Sequence, residues 1–130
     1  MIILTIRTDK PEAEIGLFDN EQQLYYIKWQ AHKELSVTLN TKINELLNKS
    51  SNSLTDIEGV VIFKGPGSFT GLRIGFSVAN ALAYSLGTPI VSETSENWVD
   101  LGNKRLQKGE NEKIAIPEYG SPAAISLPRK

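Results

Sequence analysis

The chain has 130 residues, of which 40% are hydrophobic and 22% are charged, and its formal net charge is −1. That length can bury one sizeable core, so one domain is the first expectation, and the near-neutral charge gives no general attraction to nucleic acid or membranes. The absence of cysteine excludes a disulfide framework and a thiolate metal site, and the single histidine excludes a multi-histidine site.

The first part of the chain predicts an antiparallel meander. Three strands are expected at 2–6, 13–18 and 22–30, separated by turns that contain Asp, Asn and Pro. The N-terminal strand lacks the basic start and the long apolar core of a signal peptide, and no apolar run approaches the length of a membrane span. We therefore expect a soluble, cytoplasmic protein with no membrane partner.

The rest of the chain predicts helices that alternate with strands. Helices are expected at 33–49, from about 68 to 86, and at 96–101, with strands at 60–64 and 89–92. The chain from Lys104 to Lys130 is basic, with six basic residues against three acidic ones. We predict a domain at 1–101, followed at 102–130 by a charged linker (104–112), a short apolar run (114–116) and a Pro-containing basic tail.

This order of elements resembles a ribonuclease-H-like α/β domain, the unit of the superfamily of sugar kinases, heat-shock chaperone ATPases and actin. The resemblance implies a mixed sheet in which three antiparallel strands are followed by helix, strand, helix and strand. It is a likeness of topology, and a fold alone does not give a function.

A closer resemblance lies in residues 65–75, which read GPGSFTGLRIG. This run resembles the signature of the TsaB (YeaZ) family, bacterial proteins needed to make threonylcarbamoyladenosine on tRNA. His32, Glu34 and Leu35 are similar to the His-x-Glu-Leu that opens the family's first helix. The likeness covers about residues 1–101 and is strong from 60 to 92. The family usually has a second domain of similar size, and residues 114–119 are similar to its last strand and tail, so we interpret the chain as a first domain with most of the second removed.

The resemblance implies a scaffold function. In the TsaB family the corresponding helices pack against TsaD, the catalytic threonylcarbamoyl transferase, and the ATPase TsaE joins that pair. The chain is then a non-catalytic subunit with no cofactor of its own, ATP or ADP can bind at an interface with partners, and tRNA is contacted mainly through the complex. Two alternatives stay open: an autonomous ATP-binding or hydrolytic enzyme of the same superfamily, and a homodimeric binding module.

The glycine-rich segment at 65–71 has two interpretations. Backbone N–H groups at a helix N-terminus attract anions, which favours phosphate binding. However, the Gly-x-Gly-x-x-x-Gly spacing matches neither the dinucleotide fingerprint nor the P-loop, and the proline removes a donor. We favour a packing role, in which the glycines let a strand turn abruptly into a helix that lies close to the sheet. The segment, called the motif loop below, consists of Gly65, Pro66, Gly67, Ser68, Phe69, Thr70 and Gly71.

Catalytic groups are sparse in this sequence. Arg7 stands where the family usually has an acidic residue after its first strand, and a cation there would repel Mg²⁺, although Asp9 nearby can partly substitute. Ser68 has no histidine in a recognisable triad, and we interpret His32 as a residue that caps or packs near a helix start. We therefore predict no catalytic residue and no metal site.

The helix after the motif loop carries few charges and is apolar on more than one face. One face can cover the sheet, and small residues on the helix permit close approach by another helix. In a one-domain chain some of this apolar surface stays uncovered and marks a partner site. The basic tail can touch tRNA or an acidic partner, but we favour a solvated tail. The predicted partner interface comprises Leu39, Ile43, Phe69, Ile74, Val78, Ala81 and Ser85.

Overall fold

The computed structural model describes residues 1–120, which form a five-stranded mixed sheet with helices on both faces. The strands lie side by side in the order β3-β2-β1-β4-β5. The first three are antiparallel neighbours, whereas β4 runs parallel to β1 and β5 runs parallel to β4. The elements are β1 (Ile2–Arg7), β2 (Glu12–Asp19), β3 (Gln22–Gln30), α1 (Leu35–Lys49), β4 (Gly59–Phe63), α2 (Phe69–Leu86), β5 (Ile90–Glu93) and α3 (Trp98–Gln107).

The central strand β4 is buried along its whole length, as its unbroken apolar sequence predicts. Strand β1 beside it buries Ile3, Leu4 and Ile6 completely. Residues at Ile3 and Ile6 of β1 lie opposite Gly59 and Ile62 of β4, which fixes the register of the parallel pair. Since both sheet faces are covered by helices, neither strand shows the alternating pattern of a half-exposed sheet.

One face of the sheet is covered by α1 and α2. Helix α1 directs its apolar stripe inward, and α2 buries side chains along the face that lies against β1, β4 and β5. A short 3-10 turn, His32–Glu34, precedes α1, so the regular helix begins two residues later than the predicted start at Lys33. The buried side chains of the two helices are Leu35, Leu39, Ile43, Leu46, Leu47, Leu72, Phe76, Ala79 and Ala83.

The opposite face is covered by α3, which is longer than predicted. We predicted a helix at 96–101 and a charged linker from Lys104, but the helix runs from Trp98 to Gln107 and crosses the predicted domain end at Leu101. The prediction is wrong because charged residues occupy the solvent side of α3 while Trp98 and Leu106 are buried against the sheet. The Trp98 and Phe63 rings meet edge to face with centroids 5.8 Å apart.

Residues 110–119, called the C-terminal strap below, pack against the free edge of β5 and the side of α2. The Glu112 N–H donates to the Ile90 carbonyl at 2.8 Å, and the Glu112 carboxylate accepts from the Ser92 N–H at 2.8 Å. The Ala115 N–H donates to the Asn80 side chain at 2.8 Å. This segment therefore supplies partners for backbone groups that an exposed edge strand would leave unpaired. The end of the predicted tail, 121–130, lies outside the described residues.

Arg105 holds the strap to the sheet. Its guanidinium contacts the carboxylates of Glu93 at 2.9 Å, Glu110 at 2.7 Å and Glu112 at 3.1 Å. Burial alone would lower the pKa of Arg105, but the hydrogen bonds to the three carboxylates raise it by more. The pKa of Arg105 is therefore above its ordinary value. The cluster carries an excess of negative charge around one permanent cation, so losing that cation would leave the carboxylates to repel one another.

Candidate partner interface

The motif loop joins β4 to α2 and lies against the chain that leaves β1. A Cβ on Gly67 would overlap Asp9, and one on Gly71 would overlap the Thr8 carbonyl oxygen. One helical turn further on, a Cβ on Gly75 would overlap the Thr8 hydroxyl. These contacts support the packing role that we preferred for the glycines, because each one allows the helix or its loop to approach the end of β1.

Helix α2 has well-defined ends. Ser68 is its N-cap, and the Ser68 hydroxyl oxygen accepts from the Gly71 N–H at 3.2 Å. Gly87 ends the helix with φ 68°, a left-handed conformation that glycine adopts without strain. Thr70, the other hydroxyl residue at this end of the helix, lies inside the first turn and is not the cap. Between these ends lie 18 residues, about 27 Å of helix.

The carboxyl end of β1 holds an ion pair. Arg7 Nε donates to Asp9 Oδ1 at 2.8 Å, and the guanidinium carbon lies 3.9 Å from the centroid of the Phe63 ring. Asp9 is therefore engaged by a fixed cation and is not an open ligand for Mg²⁺. Within residues 1–120 no cluster of three or more His, Cys, Asp or Glu side chains has the arrangement to hold a metal ion.

A groove runs between α1 and the outer side of α2. It consists of two adjoining hollows of about 360 and 450 Å³, both lined by Ser77 and Val78. Helix α1 contributes Ser36 to one hollow and Asn40 to the other. The remaining lining residues, all on α2, are Thr70, Arg73, Ile74, Ala81, Leu82 and Ser85.

Four of the five predicted interface residues on α2 line this groove, and the fifth, Phe69, lines neither hollow. Ala81 and Ser85 are exposed, whereas Ile74 and Val78 are half-buried and pack partly against the core. Phe69 is 56% exposed at the start of the helix. Since Ile74 and Val78 already touch the core, the uncovered surface is a shallow strip of small and partly apolar residues, narrower than the sequence led us to expect.

The two predicted interface residues on α1 are wrongly placed. Leu39 is 0% exposed and Ile43 is 3% exposed, because the apolar stripe of α1 faces the sheet and leaves nothing over for a partner. The contribution of α1 to the groove comes instead from the polar residues Ser36 and Asn40. The apolar spacing identified the stripe correctly but could not say which surface it would cover.

Two exposed aromatic residues were missed by the sequence reasoning. Tyr84 on α2 is 88% exposed, and Tyr119 of the strap lies against Phe69 with ring centroids 4.6 Å apart. The exposure of Tyr84 could have been predicted from the helical spacing, which places it near the solvent-facing Ala81 and Ser77. The Tyr119 contact had none, because it joins residues 50 positions apart in the chain. His32 is exposed and lies beside the first turn of α2.

No helix within residues 1–120 has both the length and the apolarity that crossing a membrane requires.

Comparison with known proteins gives relatives for most of the chain. A family profile described as TsaD, tRNA N6-adenosine threonylcarbamoyltransferase, matches residues 29–111. The tRNA threonylcarbamoyladenosine biosynthesis protein TsaB of Bacillus subtilis (strain 168) is 35% identical over 95 residues, which are 73% of this chain and 42% of that protein. The tRNA N6-adenosine threonylcarbamoyltransferase of Geotalea uraniireducens (strain Rf4) is 45% identical over 53 residues, or 41% of this chain and 16% of that protein.

Among solved structures, YeaZ from Pseudomonas aeruginosa superposes with a TM-score of 0.67 at 22% identity, over 72% of this chain and 43% of YeaZ. This likeness confirms the predicted ribonuclease-H-like fold. The matched part spans less than half the length of both the Bacillus subtilis relative and YeaZ. The TsaB-named relative agrees with the TsaB (YeaZ) resemblance of the motif at 65–75, and, since the TsaD profile matches more than half of the chain, the chain belongs to the TsaD family.

Proposed function

We propose that the chain is a non-catalytic subunit for the synthesis of threonylcarbamoyladenosine on tRNA, and that it binds and stabilises a TsaD-like transferase. The observation that carries the proposal is the groove between α1 and α2, which presents small side chains along the length of a helix. Names of the relatives support the pathway, because they describe either a biosynthesis protein for this nucleoside or the transferase itself. The proposal includes a cytoplasmic location.

The shape of α2 suits a partner helix. Ser77, Ala81 and Ser85 recur every four residues, so their side chains line one ridge of the helix. Small side chains on such a ridge allow the backbone of a second helix to approach to the short end of the 8–10 Å range of interaxial distances. Val78 and Leu82 flank the ridge and are only partly buried, so a partner would remove their remaining apolar surface from water.

A partner with the same fold fits this surface because it has equivalent helices on its own sheet. A TsaD-like transferase meets that condition, since the TsaD profile matches this chain through α1 and α2. A TsaE-like ATPase would join the pair, tRNA would be contacted mainly through the complex, and ATP or ADP would bind where subunits meet. Without the transferase the same groove would allow the chain to form a homodimer.

The end of β1 supports the non-catalytic part of the proposal. Arg7 lies 2.8 Å from Asp9 and stacks on Phe63, so a guanidinium occupies the place where an ATP-using domain needs open carboxylate ligands. Residues 1–120 therefore offer a partner a packing surface, and the end of β1 within them holds an ion pair in place of open metal ligands. The chemistry of transfer belongs, under this proposal, to the partner.

The proposal is tested by co-purification of the chain with the TsaD-like transferase from the same genome. Ala81→Glu places a charge in the groove at an exposed position, and we expect it to abolish a defined heterodimer while leaving the circular dichroism spectrum unchanged. Thr41→Glu is the matched control, because Thr41 is also exposed on a helix but does not line the groove. Equal capture of the wild-type and Ala81→Glu chains would overturn the proposal.

A further inference from the structure

A second surface lies at the amino-terminal end of α2, beside the groove. A hollow of about 290 Å³ there is lined by Lys10, His32 and Lys33 together with the first turn of α2. It shares Thr70 and Ile74 with the 360 Å³ hollow of the groove, which Arg73 also lines. We call this surface the cationic face and define it by Lys10, His32, Lys33, Phe69, Arg73 and Tyr119.

The cations of this face have no ion-pair partners among residues 1–120. Lys10, Lys33 and Arg73 are exposed and form no salt bridge there, whereas Arg7 and Arg105 are both neutralised by carboxylates. In sequence, the acidic neighbours of the face are Asp9, Glu12, Glu34 and Glu118, of which Asp9 is paired with Arg7. Lys10, Lys33 and Arg73 thus lie near one end of α2 with their charges free of salt bridges to residues 1–120, and local charges of this kind attract anionic partners even when the whole molecule is nearly neutral.

Two aromatic rings and a guanidinium plane lie beside these cations. Phe69 is 56% exposed and Tyr119 is 42% exposed, with ring centroids 4.6 Å apart and ring planes inclined at 45°. The Arg73 guanidinium lies 5.3 Å from the centroid of the Phe69 ring. These exposed rings have free faces that can receive other planar groups. Unpaired nucleobases stack on aromatic rings and on guanidinium planes, while neighbouring cations bind the phosphates.

We infer that the cationic face binds single-stranded RNA, namely unpaired loop nucleotides of the tRNA that the complex modifies. The inference rests on the proposed function for the identity of the RNA, but its physical basis is separate from the groove. A purely acidic peptide would contact the cations but not the aromatic rings, whereas RNA would contact the cations through its phosphates and the rings through its bases. Lys10 and Lys33 contact backbone phosphates, and the stack formed by Arg73, Phe69 and Tyr119 receives the bases.

The test uses fluorescence anisotropy of the full chain with a labelled RNA hairpin that has an unpaired loop, at several salt concentrations. We expect binding that weakens with salt, and we expect Lys33→Gln to reduce the slope of log K against log salt by about 0.7, the value for one phosphate contact in a single strand. Phe69→Ala, at an exposed position, is expected to weaken binding roughly fivefold to a hundredfold. Matched controls are Lys49→Gln and Tyr25→Ala, which alter an exposed cation and an exposed aromatic residue elsewhere and should leave binding unchanged.

Three outcomes overturn the inference: no binding, equal loss with Lys49→Gln, or equal affinity for the hairpin, for a blunt RNA duplex and for heparin with no effect of Phe69→Ala. The last result would mean a general polyanion or acidic-protein surface. Failure here is distinguishable from failure of the proposed function. Ala81→Glu should still bind RNA, and Lys33→Gln should still capture the transferase.

Discussion

Gly75 provides the sharpest test of how α2 is seated on the sheet. Alanine is normally the better helix residue by about 0.8–1.0 kcal/mol, so Gly75→Ala at an unconstrained position would stabilise the chain. In this fold the added Cβ would overlap the Thr8 hydroxyl and lie 3.0 Å from both Thr8 Cβ and Thr8 Cγ2. Thr8 is 1% exposed, so it has little room to move away.

The magnitude follows from these opposing terms. Overpacking a well-packed site costs about 1–3 kcal/mol, which exceeds or cancels the helix gain, and we expect Gly75→Ala to lower stability by roughly 0–2 kcal/mol. The Thr8 hydroxyl has no hydrogen-bond partner among the described residues, so Thr8→Ala removes a buried, unsatisfied group along with its methyl and should be nearly neutral. In the double variant the obstacle is gone, and the helix gain of about 1 kcal/mol should reappear.

Urea denaturation of the four chains of this cycle measures the coupling directly, and we expect about 1–3 kcal/mol between the two positions. Gly71→Ala is the matched control: its Cβ would meet the Thr8 carbonyl oxygen, a backbone atom, so Thr8→Ala should not rescue it. A Gly75→Ala chain more stable than wild type, or equal rescue of both glycine variants by Thr8→Ala, would refute the close packing of α2 on the end of β1.

Three further predictions concern other parts of the fold. Arg105→Gln should release the strap, because it leaves three carboxylates without their shared cation. Amide hydrogen exchange at Glu112 should then be faster, and unchanged exchange would contradict the proposed role of Arg105 in holding the strap. Burial, and then the hydrogen bond to Glu14, raise the pKa of Tyr26. The protonated phenol therefore stabilises the fold fully below pH about 10, and this stabilisation is lost as the pH rises further. Tyr26→Phe should flatten the alkaline fall in the free energy of unfolding, measured by urea titration at several pH values. An equally steep fall in the variant would contradict the prediction. Calorimetry with ATP and Mg²⁺ should detect no binding that depends on Asp9, and a signal abolished by Asp9→Ala would revive the autonomous nucleotide-binding alternative.

The order of strands and helices was predictable because most elements have a sequence signal that spans only a few residues. The apolar run of β4, the aromatic and β-branched residues of β3 and the Ser68 cap of α2 each act over a few residues. Helix α3 was cut short because its charges were taken for a linker, although Leu106 continues the buried face that begins at Trp98. That error came from reading composition where periodicity was the better guide.

The interface was only partly predictable, since periodicity tells which residues share a face but not what covers it. On α2 the solvent-facing residues Ala81 and Ser85 were identified, whereas on α1 the conspicuous apolar residues Leu39 and Ile43 turned out to face the sheet. Contacts between distant segments, such as Tyr119 with Phe69, leave no local pattern at all. A surface made by two helices and a strap therefore needed the folded chain.

Hydrogen exchange of the chain with and without the TsaD-like transferase tests the central claim most directly, since it reports which amides a partner covers. The account predicts slower exchange in peptides from α2 (Phe69–Leu86) and from the start of α1, with no change in β2 and β3. Unchanged exchange across α2, or protection confined to the β3 edge of the sheet, would contradict the claim that the helix launched from the motif loop is the docking surface.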